Sequence, residues 1–248
     1  MIASLALATA LATQPVQAER TSAAPAACPV TAEHVVANGG LENSRARLAA
    51  GLPLRILAVG SSSIEGAGAS RPELGFVPML EAGLRRRLPG ADITVVNRGI
   101  GGEATPDTAA RLAREVEAAR PHLVIWQLGT NDILRELDGQ AIFDAFRRGE
   151  AVLDEAEVDV LLIDPQRLPE NTPNPSFRGR NPALGEMSRL IHLEAGRKGY
   201  ASLNRFGAMA AWNGLDRGGV GPDDLHLNDQ GYACWSEITA EGLAAALR

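Results

Sequence analysis

54-LRILAVGSSSIEGAGAS-70 is an apolar run that stops at a glycine, passes through three consecutive serines and trails into Gly, Ala and Ser. Its first seven residues do not alternate as a half-wet strand would, and a run of this kind reads as a strand buried on both faces. Four more such runs follow: 92-DITVVN-97, 123-LVIWQLG-129, 158-VDVLLID-164 and 199-GYASLN-204. The segments between them predict helices over 72–88, 106–119, 139–156 and 183–197, with a last one over 229–247. Thr105 reads as the N-cap of the second helix, with Pro106 at its first position. Strand–helix alternation means a parallel sheet with helices on both faces, an α/β fold built as one domain over 33–248.

Composition narrows the partners. The chain of 248 residues carries a formal net charge of -6, which argues against a nucleic-acid surface. The one basic cluster, 85-RRR-87, ends a predicted helix and is expected to complement its dipole. The N-terminal 1-MIASLALATALATQPVQA-18 is apolar and ends in small residues, as an export signal cleaved near Ala18 would. It is too short and Ala-rich for a strong membrane span, so no stable membrane insertion is expected. Residues 19–32 read as a disordered leader, and the protein as periplasmic or secreted. Its two cysteines, Cys28 and Cys234, are then either a disulfide tying the leader to the last helix, or an idle Cys28 and a buried free Cys234.

Four polar clusters fall where chemistry would want them. Serines 61–63 follow the first strand, 97-NRGIGGEA-104 the second and 129-GTND-132 the third, so all three emerge at one edge of the sheet. The fourth, 222-PDDLHLND-229, precedes the last helix. The chain has four histidines, His34, His122, His192 and His226, with no metal-ligand spacing among them, so no metal is called for. Asp223 stands three residues before His226 and Asp224 two, and in a helical turn only the first shares its face. A carboxylate on one imidazole nitrogen leaves the other free to take a proton. The competing reading is an Asp-rich turn with Asn228 as helix cap and His226 incidental. The glycines at 99–102 serve a turn or bring backbone N–H groups to an anion. Asn131 is a donor for a developing oxyanion or a loop brace, as Thr130 and Asp132 are expected to be. The serines fit no dinucleotide fingerprint, phosphate loop or G-x-S-x-G elbow, and remain open as nucleophile, anion cradle or turn.

Taken in order, G60-S-S-S-I-E-G66, N97-x-G-x-G-G102, G129-T-N-D132 and D223-x-x-H226 resemble the SGNH hydrolases, also called the GDSL family. That family's first block normally reads G-D-S-[LI]-T-x-G. Laid without gaps, Ser62 falls on its nucleophile, Gly102 on its oxyanion glycine, Asn131 on its oxyanion asparagine, and Asp223 and His226 on its acid and base. Here Ser61 stands where the usual Asp is and Ile64 where the usual Thr is; Ser61 and Ser63 are the alternatives to Ser62. The resemblance implies a flavodoxin-like three-layer α/β/α sandwich with a five-stranded parallel sheet in the order 2-1-3-4-5.

It also implies ester hydrolysis through an acyl-enzyme, with the oxyanion held by the N–H groups of Ser62 and Gly102 and by the Asn131 amide, and with no cofactor. A small acyl group on a polar or saccharide alcohol is the expected substrate. The alternatives are a lysophospholipase- or thioesterase-type acyl hydrolase, an O-acetyltransferase, or a non-catalytic polar-ligand or glycan-binding module. The Pro/Asn/Arg-rich 165–182 reads as a long loop at the same edge. Its Arg167, Arg178 and Arg180 either read an anionic substrate group or are simply solvated, and Trp212 and Trp235 are expected in the core.

Overall fold

The computed structural model describes Cys28 and residues 39–212 and 215–248. The expected signal 1–18 and, Cys28 aside, the leader 19–32 lie outside the described residues. In chain order come α1 (Glu42–Ala49), β1 (Leu54–Gly60), the single-turn α2 (Ser62–Glu65), α3 (Phe76–Arg87), β2 (Ile93–Gly99), α4 (Thr105–Ala119) and β3 (Leu123–Gln127). Then follow α5 (Thr130–Leu134), α6 (Gly139–Glu155), β4 (Asp159–Ile163), α7 (Asn181–Lys198), β5 (Ala201–Leu203), α8 (Arg205–Ala210) and α9 (Asp229–Ala246). All strand pairs are parallel and the order is β2-β1-β3-β4-β5, as the resemblance implied.

β3, β4 and β5 are buried throughout and β1 exposes only Arg55, because each residue parity feeds a different core; β2, at the sheet edge, exposes Thr94 and Arg98. Leu54, Ile56 and Ala58 pack with Ile93, Ile125 and Ile163 beneath α3 and α9. Leu57 and Val59 pack with Val124, Trp126 and Leu162 beneath α4, α6 and α7. Burying each such side chain contributes about 1.5–3 kcal/mol, so both faces favour Val, Ile and Leu without interruption. Trp212 and Trp235 are both buried, as expected; Trp235 stacks on Phe76, its ring centroid 3.7 Å away.

Several local expectations are corrected. The helix expected over 72–88 divides into a 3-10 turn, Pro72–Leu74, and α3, because Gly75 between them is extended. Ala104, and not Thr105, is the N-cap of α4: the Asp107 carboxylate accepts from Ala104 N–H at 3.0 Å. Thr105 turns its own N–H and hydroxyl to Asp132 instead, at 3.0 and 3.1 Å. The arginine triplet does more than face a dipole. Arg87 pairs with Glu237 and with Glu241 (2.7 Å), and Arg86 reaches Glu237, so the cluster fastens α3 to α9.

Cys28 and Cys234 are joined by a disulfide, their Cα atoms 5.5 Å apart, which links the leader to α9. Among the described residues no helix is long and apolar enough to cross a membrane.

Candidate active site

The three serines part company at the end of β1. Ser61 is buried, and its N–H and hydroxyl both donate to Gln127 Oε1, each at 3.1 Å. Ser63 is buried too; its hydroxyl donates to Gln166 Oε1 at 3.4 Å and accepts from Arg205 at 3.3 Å. Ser62, between them, stays half-exposed and opens α2. As the first helical residue its N–H has no acceptor within the helix.

The second cluster wraps this turn. Gly99 ends β2 directly under α2, where an added Cβ would stand 2.0 Å from Glu65 N, so no larger residue lets the two backbones approach. Ile100 N–H then donates to the Gly60 carbonyl (3.0 Å), carrying the loop beside the serines. Gly102 takes φ +79 with open space around it, a left-handed conformation suited to glycine. The loop is braced from outside: Arg111, buried, forks onto Glu103 and donates to the carbonyls of Gly60 (3.4 Å) and Arg98 (2.8 Å).

Asn131 sits in the first turn of α5 and donates from Nδ2 to the Glu103 carbonyl at 2.8 Å, which draws it against the residue after Gly102. Its amide has a second N–H. Thr130 and Asp132 hold the loop, as expected. Thr130 Oγ1 accepts from Gln166 N–H at 3.2 Å, and Asp132, besides Thr105, accepts from Gly129 N–H at 3.2 Å. Burial pushes the Asp132 carboxyl above its ordinary value, against the pull of its Thr105 and Gly129 donors.

Ahead of α9, Gly221 N–H donates to the His226 carbonyl at 2.7 Å and closes a turn over the fourth cluster. Within it Asp223 Oδ2 lies 2.5 Å from His226 Nδ1, while Oδ1 accepts from the N–H groups of Leu225 (3.1 Å) and His226 (3.0 Å). Burial pushes the Asp223 carboxyl up, but the His226 ring and these two N–H groups outweigh it and hold it below the usual range. Asp224 faces the other way, buried and bound to Arg217 and Thr172 (2.8 Å). Asn228 is indeed the cap, accepting from Gly231 N–H at 3.0 Å, and that leaves His226 uncommitted to the helix end.

The His226 turn is tied to the serine segment by Ser70, which donates twice to Asp229 (2.8 and 2.6 Å), and by Tyr232 Oη on the Ala67 carbonyl (2.7 Å). Ser62 and His226 themselves share no direct hydrogen bond, a looseness common before substrate arrives. Among the described residues no three His, Cys, Asp or Glu side chains converge as metal ligands would.

The long loop leaves β4 at the same edge and stays irregular until Asn181, where α7 begins two residues earlier than expected. Its neck is closed by Asn181, whose Oδ1 accepts from Leu168 N–H and whose Nδ2 donates to the Leu168 carbonyl, both at 2.9 Å. The three arginines lie at the surface, each with a partner from the protein. Arg167 pairs with Glu170 and lies over Phe206, Arg178 donates to the Pro173 carbonyl and Arg180 pairs with Glu136. Gln127, Arg111, Gln166 and Arg205 escaped the sequence reading. Gln127 alone left a signal, as the polar last residue of an apolar strand.

A family model described as the non-GDSL lipase-like family matches residues 27–231. Among curated proteins none matches the sequence. The fold recurs in a two-domain esterase (CEX) active on acetylated mannans, at 23% identity and TM-score 0.64, covering 85% of this chain and 55% of that one. The chain thus spans about half the length of that esterase. A catalytic mutant of Axe2, an acetylxylan esterase from Geobacillus stearothermophilus, aligns at 21% identity and TM-score 0.57 over 75% of this chain and 91% of that one. The lipase/acylhydrolase from Enterococcus faecalis aligns at 21% identity and TM-score 0.63, over 79% of this chain and 97% of the other.

Proposed function

The chain belongs to the non-GDSL lipase-like family, and on that premise we propose that it is a serine esterase that hydrolyses carboxylic esters through an acyl-enzyme. The observation that carries the reading is the division of labour among the serines. Ser61 and Ser63 spend their hydroxyls on buried amide oxygens, and Ser62 is the half-exposed one. The departure of Ser61 from the usual Asp suits a family named for lacking that motif.

In this reading His226, oriented by Asp223, takes the Ser62 proton as Oγ attacks the substrate carbonyl. The C–O bond of the ester breaks as His226 returns the proton to the leaving alcohol. Water, deprotonated by the same imidazole, then attacks the acyl-enzyme and releases the acid and free Ser62. The tetrahedral oxyanion is held by the N–H groups of Ser62 and Gly102 and by the Asn131 amide, whose contact with the Glu103 carbonyl keeps its second N–H aimed. Asp223, held below the usual carboxylate range, stays ionised to steady the imidazolium.

The substrate class is a small acyl group on a polar or saccharide alcohol. It is supported by two fold relatives that act on acetylated mannan and acetylated xylan. The protein is exported, a reading favoured by the disulfide as well as the apolar stretch 1–18. Initial rates on p-nitrophenyl acetate, butyrate and octanoate, for wild type beside Ser62→Ala, test the proposal. Acetate hydrolysis that vanishes in the variant supports it, and octanoate preference would move the assignment toward lipid esters. Activity surviving in Ser62→Ala would overturn the choice of nucleophile.

A further inference from the structure

One buried residue touches the neighbours of Ser62, His226 and Asn131. Gln166, 1% exposed at the root of the long loop, accepts through Oε1 from Ser63 Oγ at 3.4 Å, next to Ser62. Its Nε2 donates to the Leu225 carbonyl at 2.5 Å, next to His226. Its backbone N–H donates to Thr130 Oγ1 at 3.2 Å, next to Asn131. Three loops far apart in sequence therefore close on one residue, two of them on its carboxamide.

What orients that carboxamide is Arg205. Its guanidinium is fully buried, lies 3.9 Å from the Trp235 ring centroid and donates to Gln166 Oε1 at 2.7 Å. Burial lowers its pKa to about 10 against the opposing pull of Tyr232 and Asp164, so it remains cationic at neutral pH. A charged donor selects the oxygen of an amide and leaves the NH₂ to face the Leu225 carbonyl. The Gln166 orientation is thereby single-valued.

We propose that Gln166, set by Arg205, is a positioning residue that fixes the distance between the Ser62 turn and the Asp223–His226 turn. The inference rests on the serine esterase reading above. Ser62 and His226 have no direct bond to set their spacing, and displacing reacting groups by about 1 Å can cost about 10²-fold in rate.

Two substitutions separate positioning from mere stability. Gln166→Glu keeps the length and the acceptor for Arg205 but sets a carboxylate against the Leu225 carbonyl. Gln166→Met keeps the volume and removes all three side-chain hydrogen bonds, to Ser63, Arg205 and Leu225. Ser63→Ala, which deletes one of the three Gln166 side-chain contacts together with the Arg205–Ser63 contact, serves as the mildest arm. Each is assayed with p-nitrophenyl acetate and a fluorophosphonate, well below its own melting temperature.

The expected result for Gln166→Glu is a kcat about 10- to 100-fold lower with KM within about threefold. Its rate of labelling at Ser62 should fall in parallel, with melting temperature held. Gln166→Met should lose at least as much, and Ser63→Ala about threefold. Variants that keep kcat and labelling within twofold of wild type, whatever their melting temperatures, would overturn the proposal while leaving the esterase reading intact. A wild type that neither hydrolyses the ester nor labels at Ser62 would remove the esterase reading, and this one with it.

Discussion

Asp223 and His226 meet through Oδ2 and Nδ1 at 2.5 Å inside a closed turn, while Asp224, one residue on, is turned into the protein by its φ of +61. Two adjacent carboxylates thus have separable tasks. Asp223→Asn should lower kcat by about 10³–10⁴-fold, with a smaller loss of stability than Asp224→Asn, because the imidazole loses its anionic partner and its tautomer. Asp224→Asn should do the reverse: it weakens a buried contact to Arg217 and Thr172, costing about 1–3 kcal/mol, with kcat kept below the melting range. Steady-state kinetics beside urea denaturation distinguish the two.

The shifts of Asp223 and Asp132 have opposite signs, and so should their effects on stability against pH. Asp223 ionises more readily folded than unfolded, so its contribution is complete above about pH 4 and fades as pH falls through its lower folded value. Asp132 holds its proton more tightly when folded, so its contribution is greatest below about pH 4 and is lost as pH rises toward its raised folded value. Urea midpoints measured between about pH 2.5 and 7 should show that Asp223→Asn removes a rise and Asp132→Asn removes a fall. Identical pH slopes for wild type and both variants would contradict the assignments.

Asn131→Ala removes one proposed oxyanion donor and also unlatches the Glu103 carbonyl. The expected loss in kcat is about 10²–10³-fold with little change in KM, the signature of a contact made in the transition state. A large rise in KM at constant kcat would mean that Asn131 binds substrate instead.

The disulfide closes 206 residues of chain. Replacing both Cys28 and Cys234 by Ser should lower the unfolding free energy by about 2–5 kcal/mol, and dithiothreitol should shift wild type the same way while leaving the double variant unmoved. Because neither cysteine takes part in the proposed chemistry, kcat at 25 °C should not change.

The strands were legible because double-sided burial writes itself as unbroken Val, Ile and Leu, and the long helices because their amphipathic period repeats. The one-turn α2 and the short α5 and α8 are too brief to show a period, and α1 is mostly polar. Thr105 was misplaced by one position because Asp132, distant in sequence, outcompetes the helix end for its hydroxyl. Within the candidate site, Ser62, Gly102, Asn131, Asp223 and His226 could be put forward as candidates because short motifs carry them. The supports could not. Gln166 sits in a loop rich in ordinary polar residues, and nothing beside Arg205 in the chain announces that a guanidinium will be enclosed there.

The two hydrogen bonds from Asn181 to Leu168 pinch the long loop shut before its tip begins. Such a seal makes the stretch beyond Thr172 a replaceable cassette. Its exchange for a shorter or longer insert should leave Gln166 and the sheet edge in place, since doubling a closed loop adds only about 0.6 kcal/mol. A lineage could therefore trade this segment alone, with the sheet edge and its polar clusters inherited unaltered.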